Sequence, residues 1–384
     1  MPPRNATVGG DGFRMYQWRG ADTPLNREYN AVGDSDLLSV TSIRTLCGTA
    51  PALVNWQINN VVNLATGMRQ ITKIGPRGGV KKVYVKDGEH PGEFVVRMME
   101  SRGQQAALDS IRTWLKTTAE EPRDIAAVRG SVVHKMIEMG LPLRVLDDGV
   151  IRQHMAAQWA EERRKVKPEV LPDDVNFVQN GMANYWDMRA NVPFVLVARE
   201  PQLFNLTLGY GGSADAIIWF LGHWVEHSPE DGQYVFVPIP GAAEMMPKLQ
   251  KAADAGVITL ADVEKIGGVL AVGDWKTSAG VYTSHVIQTI AYMAGEFVAS
   301  DGLIDVRLSK LLEAAMLGLV IHIRPDRWGV DLFEMRPDVL RAFAGSCAYA
   351  RFLALHGKPD DLFIHSLTGK AEGIVALEVS DDGE

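Results

Sequence analysis

An α/β fold is predicted by two features of this sequence: helical spacing dominates its first half, and from Pro193 onward apolar residues fall into short runs separated by turn residues. Its 384 residues are 46% apolar and 22% charged, an ordinary globular composition sufficient for one elaborated domain or two. The net charge of −8 argues against broad electrostatic wrapping of nucleic acid while leaving room for a local basic channel. Only Cys47 and Cys347 carry thiols, so neither a disulfide framework nor a four-cysteine zinc or iron–sulfur site can be assembled within one chain. The opening Met1-Pro-Pro-Arg-Asn-Ala lacks the layout of a signal peptide, and no apolar run approaches the roughly 18 residues of a membrane span. The expectation is a soluble, cytoplasmic protein with no membrane association.

Residues 1–36, rich in Gly, Asn, Asp and Arg without periodicity, read as a loosely ordered arm. The region 37–123 reads as helical, with a core-forming helix from Pro51 to Met68 and another pattern over 103–118. Within it, turn residues flank a short alternating run at about 73–96, predicting a basic hairpin. Its Arg77, Lys81, Lys82 and Lys86 around Tyr84 suit either a phosphate backbone or plain solvation. Helical patterns continue at 124–140, 148–165 and 173–189, the second reaching the basic cluster Arg163-Arg164-Lys165. The pattern then changes to strands at 194–200, 202–208 and 212–220. Turn clusters, a short strand from Tyr234 and a helix over 242–256 make 221–266 an insertion between two core strands. The strand 268–274, a helix from His285 to Ser300, strands beginning at Leu317 and Trp328, and a last helix 337–355 complete the chain.

Asp274-Trp275-Lys276 ends a strongly apolar run, and residues i and i+2 of a strand share a face. An acid and an amine therefore sit together at one strand mouth, where Asp274 can bind a divalent cation beside Lys276. His134 and Glu138, four apart on a helix, share a face as well; a hydrogen-bonded core histidine and a solvated carboxylate are the alternative. Gly130, on the same helix, costs about 1 kcal/mol of helix stability and permits close approach of a strand or a phosphate. Glu200 closes an apolar strand, and Asp215 is an acid within an otherwise buried run, so each requires a metal, a cation or a proton. For Asp215 a metal is favoured over a turn aspartate beside Gly211-Gly212; for Glu200 an ion pair with a basic residue competes. Gln288 and Tyr292, again i and i+4, present an amide and a phenol on one helix face.

Taken in order, Arg129-Gly-Ser-Val-Val-His134, Glu200, Gly212-Ser-Ala-Asp215, Asp274-Trp-Lys276 and Gln288-Thr-Ile-Ala-Tyr292 resemble the PD-(D/E)XK nuclease superfamily. Within it the chain is similar to the RecB-type branch of CRISPR-associated and phage exonucleases, in its members without an iron–sulfur cluster. The resemblance implies a restriction-endonuclease-like core over 124–365, a central mixed β-sheet flanked by helices, with the insertion 221–266 folded out of the way and a tail at 366–384. It implies Mg²⁺ or Mn²⁺ held by His134, Asp215, Asp274 and the backbone carbonyl of Trp275, a donor set suited to those ions. It also implies Lys276 beside the attacking water, Gln288 and Tyr292 orienting the scissile strand, and Glu200 as an accessory acid. The expected activity is metal-dependent exonucleolytic hydrolysis of linear DNA, single- or double-stranded, in recombination, repair or replication. A structure-specific endonuclease and a non-catalytic DNA-binding partner in recombination or packaging are the alternatives. Self-association is left open, and with no Gly-x-x-x-x-Gly-Lys-Ser/Thr loop, any helicase activity would come from a partner.

Overall fold

Short runs of β-branched and aromatic residues alternate along this chain with longer helical stretches, and the result is an α/β architecture with mixed sheets. The computed structural model describes residues 7–8, 14–46, 68–74, 80–86, 124–161, 170–228, 233–278 and 280–356. At the N-terminal end lie β1 (Thr7–Val8), β2 (Arg14–Gly20), α1 (Pro24–Glu28), β3 (Gly33–Ser39) and α2 (Val40–Leu46), then β4 (Met68–Ile74) and β5 (Val80–Lys86). Helices α3 (124–139), α4 (Asp148–Glu161) and α5 (Pro172–Asn191) follow. Next come β6 (Phe194–Arg199), β7 (Gln202–Asn205), β8 (Tyr210–Ser213), β9 (Ala216–Phe220), β10 (Gly222–Ser228) and β11 (Gln233–Pro238). The remainder is α6 (Ala242–Asp254), α7 (Leu260–Ile266), β12 (Val269–Lys276), α8 (Thr283–Met293), β13 (Phe297–Ser300), β14 (Leu303–Ile304), α9 (Val306–Glu313), β15 (Leu317–Ile323), β16 (Trp328–Glu334) and α10 (Pro337–His356).

The site is carried by a five-stranded sheet in the order β16-β15-β12-β9-β6. Its β12–β15 pair is parallel and the others antiparallel. Strand alternation divides its side chains between two cores. Phe194, Leu196, Ile218, Phe220, Ala271, Trp275, Leu319 and Ile321 pack with Val132, Met136 and Ile137 of α3 and with Val178, Met182 and Tyr185 of α5. Val195, Val197, Ile217, Trp219, Leu270 and Val272 pack toward Ala291, Tyr292 and Met293 of α8, with Leu311 of α9 and Phe343 of α10 in the same core. Both faces are covered, which is why these strands read as continuous apolar runs. A Cβ on Gly318 would lie 2.7 Å from both Met293 and Thr289, so glycine there lets α8 settle closely onto β15.

Several expectations change. Residues 14–39 are not a loose arm: β2 and β3 join a seven-stranded sheet, β1-β2-β3-β8-β7-β13-β14, where Trp18 and Leu37 share a core with Phe204 and Phe297. The polar composition misled because few residues of this segment face inward. Among the described residues of the first half, strands thus stand where helical spacing was not the guide. The basic hairpin is present as β4 and β5, antiparallel from Met68↔Lys86 to Ile74↔Val80. The helices expected over 51–68 and 103–118 and the tail 366–384 lie outside the described residues, apart from Met68, which opens β4. The strand expected over 212–220 is two, β8 in one sheet and β9 in the other. The helix expected to reach Ser300 stops at Met293, and Phe297-Val298 pair with β7 instead.

Nor does 221–266 fold out of the way. Its β10–β11 hairpin sends Trp224 and Phe236 against Phe220, and α6 lies along the edge strand β6. There the pairing of β6 with β9 shifts register between Leu196 and Ala198. Gln250 of α6 accepts from the Leu196 N–H at 3.0 Å and donates to its carbonyl at 3.1 Å. A bulged sheet edge would otherwise present those groups unpaired. Among the described residues no helix is long and apolar enough to cross a membrane.

Candidate active site

Three adjacent strands deliver carboxylates to one end of the five-stranded sheet. β12 pairs with β9 as far as Gly273↔Ala216, and β9 with β6 as far as Arg199↔Ala216. The next residues outward are Asp274, Asp215 and Glu200. Asp215 lies just before β9, where the chain leaves the seven-stranded sheet, rather than inside a strand. The Trp275 N–H donates to Asp215 Oδ2 at 2.6 Å, and the Glu200 N–H donates to the Asp215 carbonyl at 3.0 Å. Lys276 Nζ stands 2.5 Å from Asp274 Oδ2, and His134 Nδ1 of α3 stands 3.6 Å from Asp215 Oδ2. Arg129, in the same helical turn as Gly130, donates through Nε to Asp174 of α5 at 2.6 Å, tying α3 to its neighbour.

The groups titrate against one another. Burial pushes the Asp274 carboxyl up to about 6; Asp215 adds to the rise, while Lys276 and His134 oppose it. Burial would also raise Asp215, but His134, Lys276 and the Trp275 N–H outweigh it and hold that carboxyl below the ordinary aspartate value. Glu200 is raised by burial and by the charges of Glu138 and Asp215. It ion-pairs with no described basic residue, and its φ of 47° is left-handed, a conformation disfavoured for a residue with a Cβ. A cavity of about 500 Å³ opens beside it, lined by Glu138, Arg199, Gln202, Ser300 and Asp305 among others.

Gln288 and Tyr292 are buried, at 7% and 3% exposure, rather than presenting free tips. Gln288 Nε2 donates to Tyr292 Oη at 2.8 Å. Burial and the Asp274 carboxylate push the phenol well above its usual pKa, so it remains protonated. Glycines admit these neighbours: a Cβ on Gly212 would lie 2.8 Å from Tyr292 Cε1, and one on Gly130 would lie 2.6 Å from Thr277 Oγ1. Gly130 thus serves the approach of α3 to the end of β12.

The chain matches no protein-family model and no curated protein. What it could bind follows from its own donors. Among the described residues, no three His, Cys, Asp or Glu groups converge closely enough to hold an ion as the side chains stand. Asp274 Oδ2 is nevertheless buried, with the Lys276 ammonium beside it and no hydrogen bond from any other group. A buried carboxylate oxygen with unused lone pairs, beside a second carboxylate and an imidazole, fits an oxygen-preferring divalent cation.

Glu138 and His322 were not among the residues assigned roles from sequence. Glu138 accepts from Lys135 at 2.7 Å and raises Glu200; its spacing from His134 was visible. His322 is paired in register with Lys276 on β15, and its only sequence signal is a lone imidazole in an apolar run. Arg77 and the cluster Arg163-Arg164-Lys165 lie outside the described residues, whereas Lys81, Lys82 and Lys86 fall on β5.

Proposed function

We propose that this protein is a Mg²⁺- or Mn²⁺-dependent DNA nuclease of PD-(D/E)XK type, RecB-like and without an iron–sulfur cluster, acting as an exonuclease on linear DNA. The observation that carries the reading is the convergence of Glu200, Asp215, Asp274 and Lys276 at the ends of three neighbouring strands, with His134 beside Asp215. Residues this far apart in sequence gain nothing in stability from such crowding, since buried like charges oppose folding.

His134, Asp215, Asp274 and the Trp275 carbonyl would hold the ion. When bound, it would neutralise phosphate charge and lower the pKa of a water nucleophile. Lys276 would release Asp274 and donate to the phosphate oxygens as negative charge grows there. Tyr292, protonated and held by Gln288, would orient the scissile strand together with it, and Glu200 would serve as an accessory acid. The strands β4 and β5, bearing Lys81, Lys82 and Lys86, are the candidate contact to the DNA backbone.

The test is release of end-labelled nucleotides from linear DNA with Mg²⁺ or Mn²⁺, for the natural protein, Asp274→Ala and Lys276→Ala, with a closed-circular control. Metal-dependent release abolished by both substitutions is expected. Cutting of the circle would make it an endonuclease. Binding of DNA with no cleavage under either metal would leave a DNA-binding module, the reading favoured by the closed Lys276–Asp274 contact.

A further inference from the structure

β15 runs parallel to β12, with His322 in register with Lys276. Both side chains belong to the α8 side of the sheet. Gly318, of the same parity as His322, abuts Met293 and Thr289 of α8, whereas Leu319, Ile321 and Ile323 turn to the opposite core. His322 is 8% exposed, and its Nε2 is buried without a hydrogen-bond partner. Such orphaned atoms are few in folded proteins and call for a cause. Burial, reinforced by Arg324, Arg327 and Lys276 against Asp331 alone, holds the imidazole below its ordinary pKa, so it is neutral near pH 7. A neutral imidazole with its proton on Nδ1 offers a lone pair at Nε2.

Lys276 meanwhile is held by Asp274, 2.5 Å away. If Asp274 is to bind a cation, the ammonium must leave it, and a buried ammonium without an acceptor is costly. We infer that His322 is a positioning residue, the alternate acceptor for Lys276: the ammonium passes from Asp274 to His322 Nε2 when the Asp274 carboxylate is engaged elsewhere. The inference deepens the nuclease reading and rests on it for its purpose. The lysine is thereby kept in the site at the moment its charge is needed, instead of swinging into solvent.

The decisive readout needs neither metal nor catalysis. ¹⁵N NMR of the histidine rings in the metal-free protein, with His322 assigned by loss of its signals in His322→Gln, compares the natural protein with Asp274→Leu. Removing the competing carboxylate should move the Nε2 resonance to lower frequency as it accepts a hydrogen bond, and adding Lys276→Met should reverse the move. Asp274→Ala, which likewise leaves no acceptor at that position, gives the same readout if Asp274→Leu does not fold. An Nε2 resonance that stays still, or that moves equally without Lys276, overturns the inference. Absence of DNA cleavage by the natural protein would instead overturn the nuclease reading and leave the lysine transfer standing or falling on the NMR result. Where cleavage occurs, His322→Leu should lower kcat about tenfold or more with KM unchanged. His322→Gln, whose amide oxygen can accept from Lys276, should recover most of it. Unchanged kcat in His322→Leu would also overturn the inference.

Discussion

Asp274 and Trp275 are neighbours on one strand and face opposite cores built on different terms. On the α5 side the Trp275 ring meets Tyr185 edge-on at 5.9 Å and Phe194 at 6.4 Å, with Phe194 in turn 5.7 Å from Phe220. That core is apolar and aromatic, and it fixes the strand. On the α8 side, Asp274, Gln288, Thr289 and His322 are all buried polar groups, and Gly212 and Gly318 replace side chains where helix and strand approach. One face of the sheet maximises packing, while the other gives up packing to keep carboxylates, an ammonium and an imidazole close together. The strand is held from behind so that its front can carry charge.

The largest expected effect tests this division directly. Asp274→Asn should reduce metal-dependent DNA hydrolysis on the order of a thousandfold, while shifting the denaturation midpoint little. Trp275→Ala should do the reverse, destabilising the fold by about 3–5 kcal/mol through the cavity it leaves, with the folded fraction still active. Parallel denaturant titrations and cleavage assays check both. A Trp275→Ala protein as stable as the natural one would break the comparison at its rigid side. A smaller loss, about 1–3 kcal/mol, is expected for Gly212→Ala, since the new methyl would lie 2.8 Å from the Tyr292 ring and 3.0 Å from Val40 Cγ2. Chemical denaturation measures it, and a neutral result would mean that the α8 side can yield.

The two sides also differ in how much of them could be read in advance. Apolar periodicity revealed the strands and helices that build the aromatic core, because burial on both faces writes itself as runs of Val, Ile, Leu and Phe. Asp274 and Lys276 stood out at the end of such a run, Asp215 as an acid within one, and His134 by its helical spacing from Glu138; the sheet brings the first three together and α3 adds His134. The bond from the Trp275 N–H to Asp215 was not legible, since backbone hydrogen bonds to side chains depend on register between strands distant in sequence. His322 was hidden for the same reason: only the parallel pairing of β15 with β12 gives its position meaning. Residues 14–39 were misread because few of their side chains are buried, and Asp34, Asp36 and Arg19 resemble a loop in composition. The role of Gln250 was invisible, as nothing local marks a glutamine that satisfies the bulged edge of another element.

Gly130→Ala is the smallest and most discriminating change. Alanine should favour the interior of α3 by about 1 kcal/mol over glycine, and its methyl would meet a single atom at close range, Thr277 Oγ1 at 2.6 Å. That atom is the end of a side chain that can rotate, unlike the ring met at Gly212, so the two effects should offset to within about 1 kcal/mol in thermal unfolding. Thr277, however, directly follows Lys276, and displacing it moves the end of β12 relative to α3, which carries His134. A protein that melts as before but cleaves DNA more slowly would show that glycine is placed here for the approach of helix to strand end at the site. A protein unchanged in both respects would reduce that close contact to tolerated packing and extend the forgiving part of the molecule up to the edge of the carboxylates.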